Sequence, residues 1–407
     1  MCVKDNAYTG EDVHAGGVLA LFNAGEVGSI PADWKVAQLK DLTDIITGAT
    51  PSTSINEYWN GDIPWMSSGE LNMKLVRSVY GRITQKGYDS CGTQMIPPLC
   101  VLIGLAGQGK TRGTAAINYI SLCTNQSIAS ILPSSYFDSF FLFYWLDNQY
   151  YNLRMLSAGD GGRGGLNKQL LLNLWVPLPP LKEQNAIANS LSSIDSLISS
   201  LDELIEKKRM IKDGLMQELL TGKKRLKGFS GEWVSVKLGA ISNISTGKRN
   251  GDEQVNNGKF PFFVRSQIVY SIDSYSYDGE AILVPGEGGI GKIFHYINGK
   301  FDFHQRVYKI SDIPDNYCTK FIYYYMTRFF GSYAMQNTVK ATVDSLRLPV
   351  FLEFEMNLPP RKDEQCAIAH TFDSIVNDIA ALESQRNKYL HIKQGMMQQL
   401  LTGKTRL

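Results

Sequence analysis

Cysteine is scarce and scattered in this sequence of 407 residues, which contains six cysteines and no C-x-x-C pair. That spacing argues against a structural zinc site and a disulfide framework, and it favours a reducing compartment. Long apolar runs are also missing, because the longest one, Phe140 to Leu146, is far shorter than the ~20 residues of a membrane span. Residues 1–14 are polar and acidic, unlike a secretory signal. We therefore expect a soluble cytoplasmic protein with no membrane segment, no metal and no cofactor.

Net charge is also small, at +2, so no global basic field indicates nucleic acid and any such binding must use local patches. Apolar residues make up 43% and aromatic residues 11% of the chain, which argues against disorder. A chain of 407 residues is too long for one ordinary core, so two or more domains are expected.

The sequence contains a repeat of itself. Residues 183–226 and 364–407 align without a gap, and 22 of the 44 aligned positions are identical. Each copy follows a Pro-Pro pair, at Pro179-Pro180 and at Pro359-Pro360. An internal duplication therefore organises the whole chain.

Apolar residues in both copies recur at alternating spacings of four and three. This is the a/d seam of a coiled coil. The predicted pairing residues are Ile187, Leu191, Ile194, Ile198 and Leu201 in the first copy, and Ile368, Phe372, Ile375, Ile379 and Leu382 in the second. We expect two helices of about 38 residues, each on the order of 57 Å long. The Pro-Pro pairs are the expected start signals, with Glu183 and Glu364 in the first turns, and the helices are expected to end near Gly222 and Gly403. We expect the helices to pair antiparallel within the chain; pairing between chains is the weaker alternative.

The seam turns polar near its middle, at Lys208 and Lys212 in the first copy and at Arg386 and Lys393 in the second. A lysine at a seam position lowers stability but sets the register and the partner. A lysine stem that extends its charge to solvent at a frayed seam is an equally good interpretation.

The regions before the two helices also correspond. Trp34 and Trp233 lie at equivalent places, each followed at the same distance by a glycine, Gly48 or Gly247. From that glycine to the next glycine-rich stretch the copies span 56 and 39 residues, with little shared sequence. The flanking motifs are the same in both copies, whereas the segments between them differ in length and sequence. This combination suggests two domains that have the same function and act on different targets.

The stretch from Gly104 to Thr111 matches the phosphate-binding pattern G-x-x-x-x-G-K-[ST]. The second copy, Gly286 to Lys292, continues with Ile293 where that pattern needs Ser or Thr. Neither copy is followed by a good helix start, which a phosphate-binding loop requires. We therefore predict glycine-rich turns between strands. Nucleotide binding stays the weaker alternative.

The succession of variable region and helix, repeated once, resembles the specificity subunits of type I restriction–modification systems. The matching elements cover nearly the whole chain: Trp34 and Trp233, Pro179-Pro180 with Glu183-Gln184, Pro359-Pro360 with Glu364-Gln365, and the LLTGK sequences at 219–223 and 400–404. Residues 1–30 have no place in the resemblance, and their role stays open.

The resemblance implies an α+β fold with two mixed α/β target-recognition domains, separated by two long antiparallel coiled-coil helices with internal pseudo-two-fold symmetry. We expect the following segments: an N-terminal leader at 1–30, recognition domain 1 at 31–177, a central helical spacer at 178–226, recognition domain 2 at 227–357, and a C-terminal helical spacer at 358–407.

The resemblance also implies a non-catalytic subunit that binds double-stranded DNA and recruits two methyltransferase subunits. Restriction subunits would join in the full complex. Adenine methylation and DNA cleavage would belong to those partners, and the sequence agrees, because it contains no N-P-P-[FY] or D-P-P-Y methylase motif. Since the two domains differ, the target should be split and asymmetric, with a gap set by the helices.

Basic residues in or beside the variable loops are the candidates for DNA contact, since Lys and Arg neutralise phosphates and Arg pairs with guanine. They are Lys110, Arg112, Arg163 and Lys168 in the first domain, and Lys248, Arg249, Arg265, Lys292, Arg306 and Arg347 in the second. For each of them a solvated surface charge is the competing interpretation. A purely structural coiled-coil scaffold is the competing interpretation for the chain.

Overall fold

The computed structural model describes residues 30–107, 109–156, 165–337 and 345–407. Their contacts divide them into two compact units, each built from two stretches of the chain. The first unit contains residues 30–201 and 385–407, and the second contains residues 202–384. Each of the two long helices contributes one part to each unit.

Three sheets form the strand framework of the first unit. A five-stranded sheet has the order β2-β9-β6-β7-β4, a three-stranded sheet has the order β5-β3-β8, and β1 pairs with β10. The strands are β1 (Lys35–Gln38), β2 (Ile45–Thr47), β3 (Trp59–Met66), β4 (Leu75–Val76), β5 (Gly81–Ile83), β6 (Val101–Gly104), β7 (Ala115–Asn118), β8 (Cys123–Thr124), β9 (Ile128–Ile131) and β10 (Trp175–Leu178). Residues of β6, β7 and β9 are all buried, so these strands lie at the centre of the core.

The helices of the first unit are α1 (Gln85–Asp89), α2 (Ser139–Asn148), α3 (Tyr150–Leu156), α4 (Lys168–Leu172), the first part of α5 (Leu181–Leu219) and the last part of α8 (Lys362–Leu400). The aromatic run of α2 is capped by Asp138, whose carboxylate accepts from the backbone N–H of Phe141 at 2.8 Å. Nearly all of this helix is buried against β6 and β7. Short 3-10 turns occupy Leu39–Asp41, Asn56–Tyr58 and Ser68–Met73.

One large sheet forms the second unit, with the order β12-β17-β15-β16-β13-β14, and β11 pairs separately with β18. The strands are β11 (Val234–Lys237), β12 (Asn243–Thr246), β13 (Phe260–Phe263), β14 (Val269–Ile272), β15 (Tyr277–Pro285), β16 (His295–Phe303), β17 (Val307–Ser311) and β18 (Glu355–Leu358). The helices are α6 (Thr319–Asn337), α7 (Leu348–Leu352), the last part of α5 and the first part of α8 (Lys362–Leu400), and 3-10 turns lie at Leu238–Ala240 and Gly251–Glu253.

The predicted glycine-rich turns are hairpin turns. Strands β6 and β7 pair antiparallel on either side of the first, and β15 and β16 on either side of the second. A strand follows each turn, so neither turn leads into the helix start that a nucleotide phosphate site of the P-loop type needs. The P-loop pattern is therefore a chance match in the sequence.

The two long helices, α5 and α8, have 39 residues each and run antiparallel within one chain. In the first unit Lys393 pairs with Asp195 at 2.6 Å, and in the second Lys208 pairs with Asp378 at 2.8 Å. Within the first unit Glu183 pairs with Arg406 and Asp195 with Lys393, and within the second Lys208 pairs with Asp378 and Arg225 with Glu364, so in each unit residue numbers rise along one partner as they fall along the other. Both helices end before a glycine with positive φ, +71° at Gly222 and +69° at Gly403, as predicted for left-handed terminators.

The predicted seam residues of these helices differ in how deeply they are buried. Six of them are buried and four are half-buried. The buried ones are Ile187, Leu191, Ile198, Leu201, Ile368 and Phe372, and the half-buried ones are Ile194, Ile375, Ile379 and Leu382. Burial is greatest where the helices also pack on a domain core: Ile187 and Leu191 belong to the core of the first unit, and Ile368 and Phe372 to that of the second.

The motif residues of the frame meet at one junction in each unit. In the first, the Trp34 indole N–H donates to Glu183 at 3.2 Å, and Arg406 holds the same carboxylate at 2.6 and 2.8 Å. In the second, Glu364 accepts twice from Arg225, at 2.5 and 2.6 Å. The neighbouring glutamines repeat as well: each donates to the carbonyl of the first proline of its Pro-Pro pair. The glutamate–arginine and glutamine–proline contacts are thus duplicated with the sequence, whereas the buried indole N–H of Trp233, unlike that of Trp34, has no hydrogen-bond partner among the described residues.

Candidate nucleic-acid interface

The glycine-rich hairpin turn of the first unit packs on helix α3. Gly113 has φ +78°, and a Cβ there would lie 3.1 Å from the carbonyl oxygen of Tyr150. Arg154 of α3 donates from Nη1 to the carbonyls of Gly109, at 2.7 Å, and Arg112, at 3.2 Å. The turn is therefore held on α3 through its backbone carbonyls, and the close approach of the two segments requires glycine at position 113.

The corresponding turn of the second unit packs on α6 even more closely. Gly291 has φ +64°, and a Cβ on it would lie 2.3 Å from the Cα of Gly331 in that helix. The backbone N–H of Leu346 donates to the carbonyl of Gly286 at 2.8 Å, which ties the segment before α7 to the same turn. Both units thus bring a glycine-rich hairpin turn against the helix that follows the central strands.

The first-unit candidates lie in this turn and near α4. Lys110 is exposed, and its carbonyl accepts from the Tyr150 hydroxyl at 3.1 Å. Arg112 is half-buried in the same turn. Lys168 is exposed at the first residue of α4, which Asn167 caps by accepting from the N–H of Leu170 at 2.9 Å. Arg163 lies outside the described residues. The turn therefore groups Lys110 with Arg112.

In the second unit three of the predicted arginines border two adjoining clefts, and we call Arg265, Arg306 and Arg347 the basic cluster. The first cleft, of about 430 Å³, is lined by Arg265, together with Tyr270 and His304. The second, of about 400 Å³, is lined by Arg306 and Arg347. They come from the end of β13, from the turn between β16 and β17, and from the residue that precedes α7.

Glu287, which the sequence analysis did not single out, lies in the basic cluster. Arg265 donates from Nη1 to its Oε2 at 3.2 Å, and Nη1 of Arg306 lies 3.4 Å from its Oε1. The Glu287 side chain is 20% exposed, against 50% for Arg265 and 62% for Arg306. The carboxylate is therefore recessed and the guanidinium groups face outward. An acid inside the glycine-rich turn of an otherwise basic region was the signal that could have drawn attention to it.

The protonation of His304 is affected by the charged residues of this region. It is buried, and its Nδ1 accepts from the backbone N–H of Arg306 at 2.9 Å, so its proton belongs on Nε2 when the ring is neutral. Burial, with the positive charges of Arg265 and Arg306 second, lowers its pKa below the ordinary value of 6.5. The imidazole therefore stays neutral at physiological pH, and His304 is one of the residues that line the first cleft.

The other second-unit candidates differ from the basic cluster. Lys248 and Lys292 are exposed. Arg249 is occupied internally: it donates to the buried Asp302 at 3.1 Å and to Glu253 at 2.8 Å. Glu253 and Asp302 raise its pKa above the ordinary value, so its charge is permanent. Arg249 holds its own loop, whatever else it contacts.

These arrangements suit an anionic or acceptor-rich ligand. Guanidinium groups donate to phosphate oxygens and, in pairs of hydrogen bonds, to O6 and N7 of guanine. Among the described residues no group of three or more His, Cys, Asp or Glu side chains could hold a metal ion. The helices described here include none that is both long and apolar enough to cross a membrane.

Comparison with known proteins gives a consistent result. The family of type I restriction modification DNA specificity domains matches twice, over residues 31–208 and 230–391. The MjaIX specificity subunit of a type I restriction enzyme from Methanocaldococcus jannaschii is 27% identical over 63% of this chain and 63% of its own length, which is less than two thirds of that relative. The MjaVIII specificity subunit from the same organism is 25% identical over 93% of this chain and 94% of its own length.

Among solved structures, the S subunit of a type I restriction-modification system from M. genitalium matches with a TM-score of 0.66 and 17% identity, covering 92% of this chain and 96% of that one. At this identity the likeness concerns the fold. It extends over both repeats, as do the two family matches, which together cover more than half of the chain. The chain belongs to the family of type I restriction modification DNA specificity domains.

Proposed function

We propose that this chain is the DNA-recognition subunit of a type I restriction–modification complex. It reads a split, asymmetric duplex target with one half-site for each recognition domain. The observation that carries the proposal is that the two units share the same strand pair next to the long helices but differ in their larger sheets. Strand pairs β1–β10 and β11–β18 have the same register, whereas the larger sheets have five and three strands in one unit and six in the other. Two different surfaces on one repeated frame are what an asymmetric target requires.

We propose the predicted basic residues as the DNA contacts. The basic cluster and the Lys110–Arg112 turn come first, because the arginines of the cluster border two clefts and Lys110 and Arg112 share one hairpin turn. The full set is Lys110, Arg112, Arg163, Lys168, Lys248, Arg249, Arg265, Lys292, Arg306 and Arg347. The domain boundaries predicted from the sequence, 31–177 and 227–357 for the recognition domains, stay part of this proposal.

Methylation and cleavage would belong to partner subunits in the cytoplasm, and the outer faces of the helices are the proposed place for two methyltransferase subunits. Along α5 three apolar residues follow at intervals of seven and are exposed: Leu197 at 38%, Leu204 at 41% and Ile211 at 43%. One exposed apolar residue in every seven gives a partner subunit apolar surface to pack on along the helix. Restriction subunits would join the complex so formed.

Co-expression with the adenine methyltransferase of the same restriction–modification system, followed by mapping of N6-methyladenine, tests the function. We expect methylation at a bipartite motif whose two halves differ. A stable complex that methylates one continuous motif, or methylates without sequence preference, would contradict the proposal.

The two alternatives make different predictions. A structural scaffold would show no salt-dependent binding to any duplex, since such binding reflects released counterions. A nucleotide hydrolase would hydrolyse ATP as an isolated chain, for which the hairpin turns give no support. Both measurements can be made on the preparation used for the methylation experiment.

A further inference from the structure

One acid holds two of the three arginines in the basic cluster. Glu287 gives one carboxylate oxygen to Arg265 and the other to Arg306, and each contact uses a single guanidinium nitrogen, Nη1. An arginine has five N–H donors, so most of the donors of both side chains stay available for a ligand. The contacts orient the two arginines while leaving their outer edges exposed.

The position of Glu287 is set by backbone contacts on the residue before it. The N–H of Gly286 donates to the carbonyl of Arg306 at 2.8 Å, and its carbonyl accepts from the N–H of Leu346 at 2.8 Å. The carboxylate is therefore carried by a hairpin end that is tied to both neighbouring segments. A fixed carboxylate presents a fixed negative charge to whatever the arginines bind.

That fixed charge acts differently on the two kinds of acceptor that a duplex offers. A phosphate is anionic, so a phosphate that approaches Arg265 or Arg306 is repelled by the carboxylate a few ångströms away. The O6 and N7 atoms of guanine are neutral acceptors, and they accept from arginine without that repulsion. Phosphates occur at every step of any duplex, whereas guanine occurs only where the sequence places it.

We propose, on the basis of the DNA-recognition function proposed above, that Glu287 is a specificity-determining positioning residue. It leaves Arg265 and Arg306 free to donate to a guanine edge and opposes their capture by phosphates. His304 lines the same cleft as Arg265, and its neutral ring adds no further positive charge that would attract a phosphate. Glu287 itself contacts no base in this arrangement.

The test compares wild type with Glu287→Gln in the complex with the methyltransferase subunit. One duplex carries the mapped methylation target, and the second has the same length with the half-site of the second domain scrambled. Affinity is measured by fluorescence anisotropy at several salt concentrations. For Glu287→Gln we expect about tenfold tighter binding to the scrambled duplex and about a tenfold smaller ratio between the two duplexes. The slope of log K against log salt should steepen by about 1 to 2 as phosphate contacts are gained.

Glu353→Gln is the matched control, because it removes the same charge from an ion pair of the second unit whose cation, Lys237, is not among the proposed DNA contacts. Glu287→Asp retains the charge and should keep the wild-type salt slope even if the packing loosens. The inference is overturned if Glu287→Gln matches Glu353→Gln, or if Glu287→Asp is as steep as Glu287→Gln. In either case a wild-type complex that discriminates between the duplexes leaves the DNA-recognition function standing. A wild-type complex that does not discriminate overturns that function and the inference with it.

Discussion

Arg225 donates two hydrogen bonds to Glu364, from Nε at 2.5 Å and from Nη2 at 2.6 Å, and it does so across 139 residues of sequence. The Glu364 side chain has no exposed surface, whereas Arg225 is 23% exposed. The pair joins the segment after α5 to the first turn of α8. Arg406 and Glu183 form the same junction in the first unit. The junction is therefore the contact that both copies of the duplication have in common.

Replacing Arg225 by alanine should strongly destabilise the second unit. Glu364 would stay buried without its counter-charge, and breaking a buried pair in this way costs about 3–5 kcal/mol. The measurement is urea unfolding of the full chain, followed by tryptophan fluorescence. Arg361→Ala is the control, because Arg361 pairs with Asp363 on the surface. Equal midpoints for the two variants would show that the junction does not stabilise the fold.

Two interhelical lysines should differ in their effect on stability. Lys393 and Asp195 are 19% and 18% exposed, whereas Lys208 and Asp378 are 33% and 51% exposed. Lys393→Met should lower the free energy of unfolding by about 3 kcal/mol because it leaves a largely buried carboxylate. Lys208→Met should change it by about 1 kcal/mol or less. Thermal unfolding of both variants measures the two losses of stability. A larger loss for Lys208→Met than for Lys393→Met would contradict the argument from burial.

The second unit should lose stability as the pH falls below about 6.5. His295 and His304 are both buried, and burial lowers the pKa of each below the ordinary 6.5. The unfolded chain then binds more protons, so this stability is fully present above pH 6.5 and is lost as the pH falls through the lowered values. Melting temperatures of the wild type between pH 7.5 and 5 should fall.

The double variant His295→Gln/His304→Asn should show a flatter dependence of melting temperature on pH. Its amides offer a donor and an acceptor in place of Nε2 of His295 and Nδ1 of His304, without a proton to gain. His370→Gln, at an exposed position of α8, should behave as wild type. If the double variant keeps the wild-type slope, groups other than these histidines cause the pH dependence.

Lengthening both helices should lengthen the gap in the target. Seven residues inserted into each helix, after Leu201 and after Ser384, add about 10.5 Å. At ~3.4 Å per base pair this corresponds to about three base pairs. Mapping of N6-methyladenine should show the same two half-sites further apart. Altered half-sites at constant spacing would contradict a spacing role for the helices.

Arg347 and Arg249 should separate DNA contact from structural support. Arg347 is exposed beside the second cleft, and no hydrogen bond or ion pair of its side chain occurs among the described residues. Arg347→Ala should weaken binding to the mapped duplex by about 1–3 kcal/mol at unchanged stability. Arg249→Ala should lower the melting temperature, because it leaves Asp302 buried without its arginine. Unchanged binding by Arg347→Ala at physiological salt would remove that residue from the candidates.

The fold was predictable where the pattern is local and repeated. The alternation of four and three indicated both helices, and the Pro-Pro and glycine signals bounded them to within a few residues. The glycine-rich turns were also correctly assigned, because the second copy lacked the helix start that the P-loop pattern demands. What the sequence could not provide was the number of strands in each domain, since pairings such as β13 with β16 join segments with no periodic signal in common.

The candidate site was predictable only as a set of residue types. Basic residues in variable loops indicated an anionic ligand, yet nothing local distinguishes Arg249, which supports its own loop, from Arg347, which faces a cleft. Glu287 was missed because its role depends on two arginines that lie 19 and 22 positions away in the sequence. His304 was missed because its role depends on a backbone N–H that only the fold of the turn brings close to its ring.

The amino-acid order alone determined the duplication and the two long helices, because helix periodicity and sequence identity are properties of neighbouring residues. It predicted that the helices pair antiparallel within one chain, and the structure shows that pairing. The folded chain alone decided which charges meet: Arg225 with Glu364, Arg406 with Glu183, and Glu287 with two arginines. Electrostatic contacts act over a few ångströms of space, and only the tertiary fold brings residues from distant parts of the chain within that range.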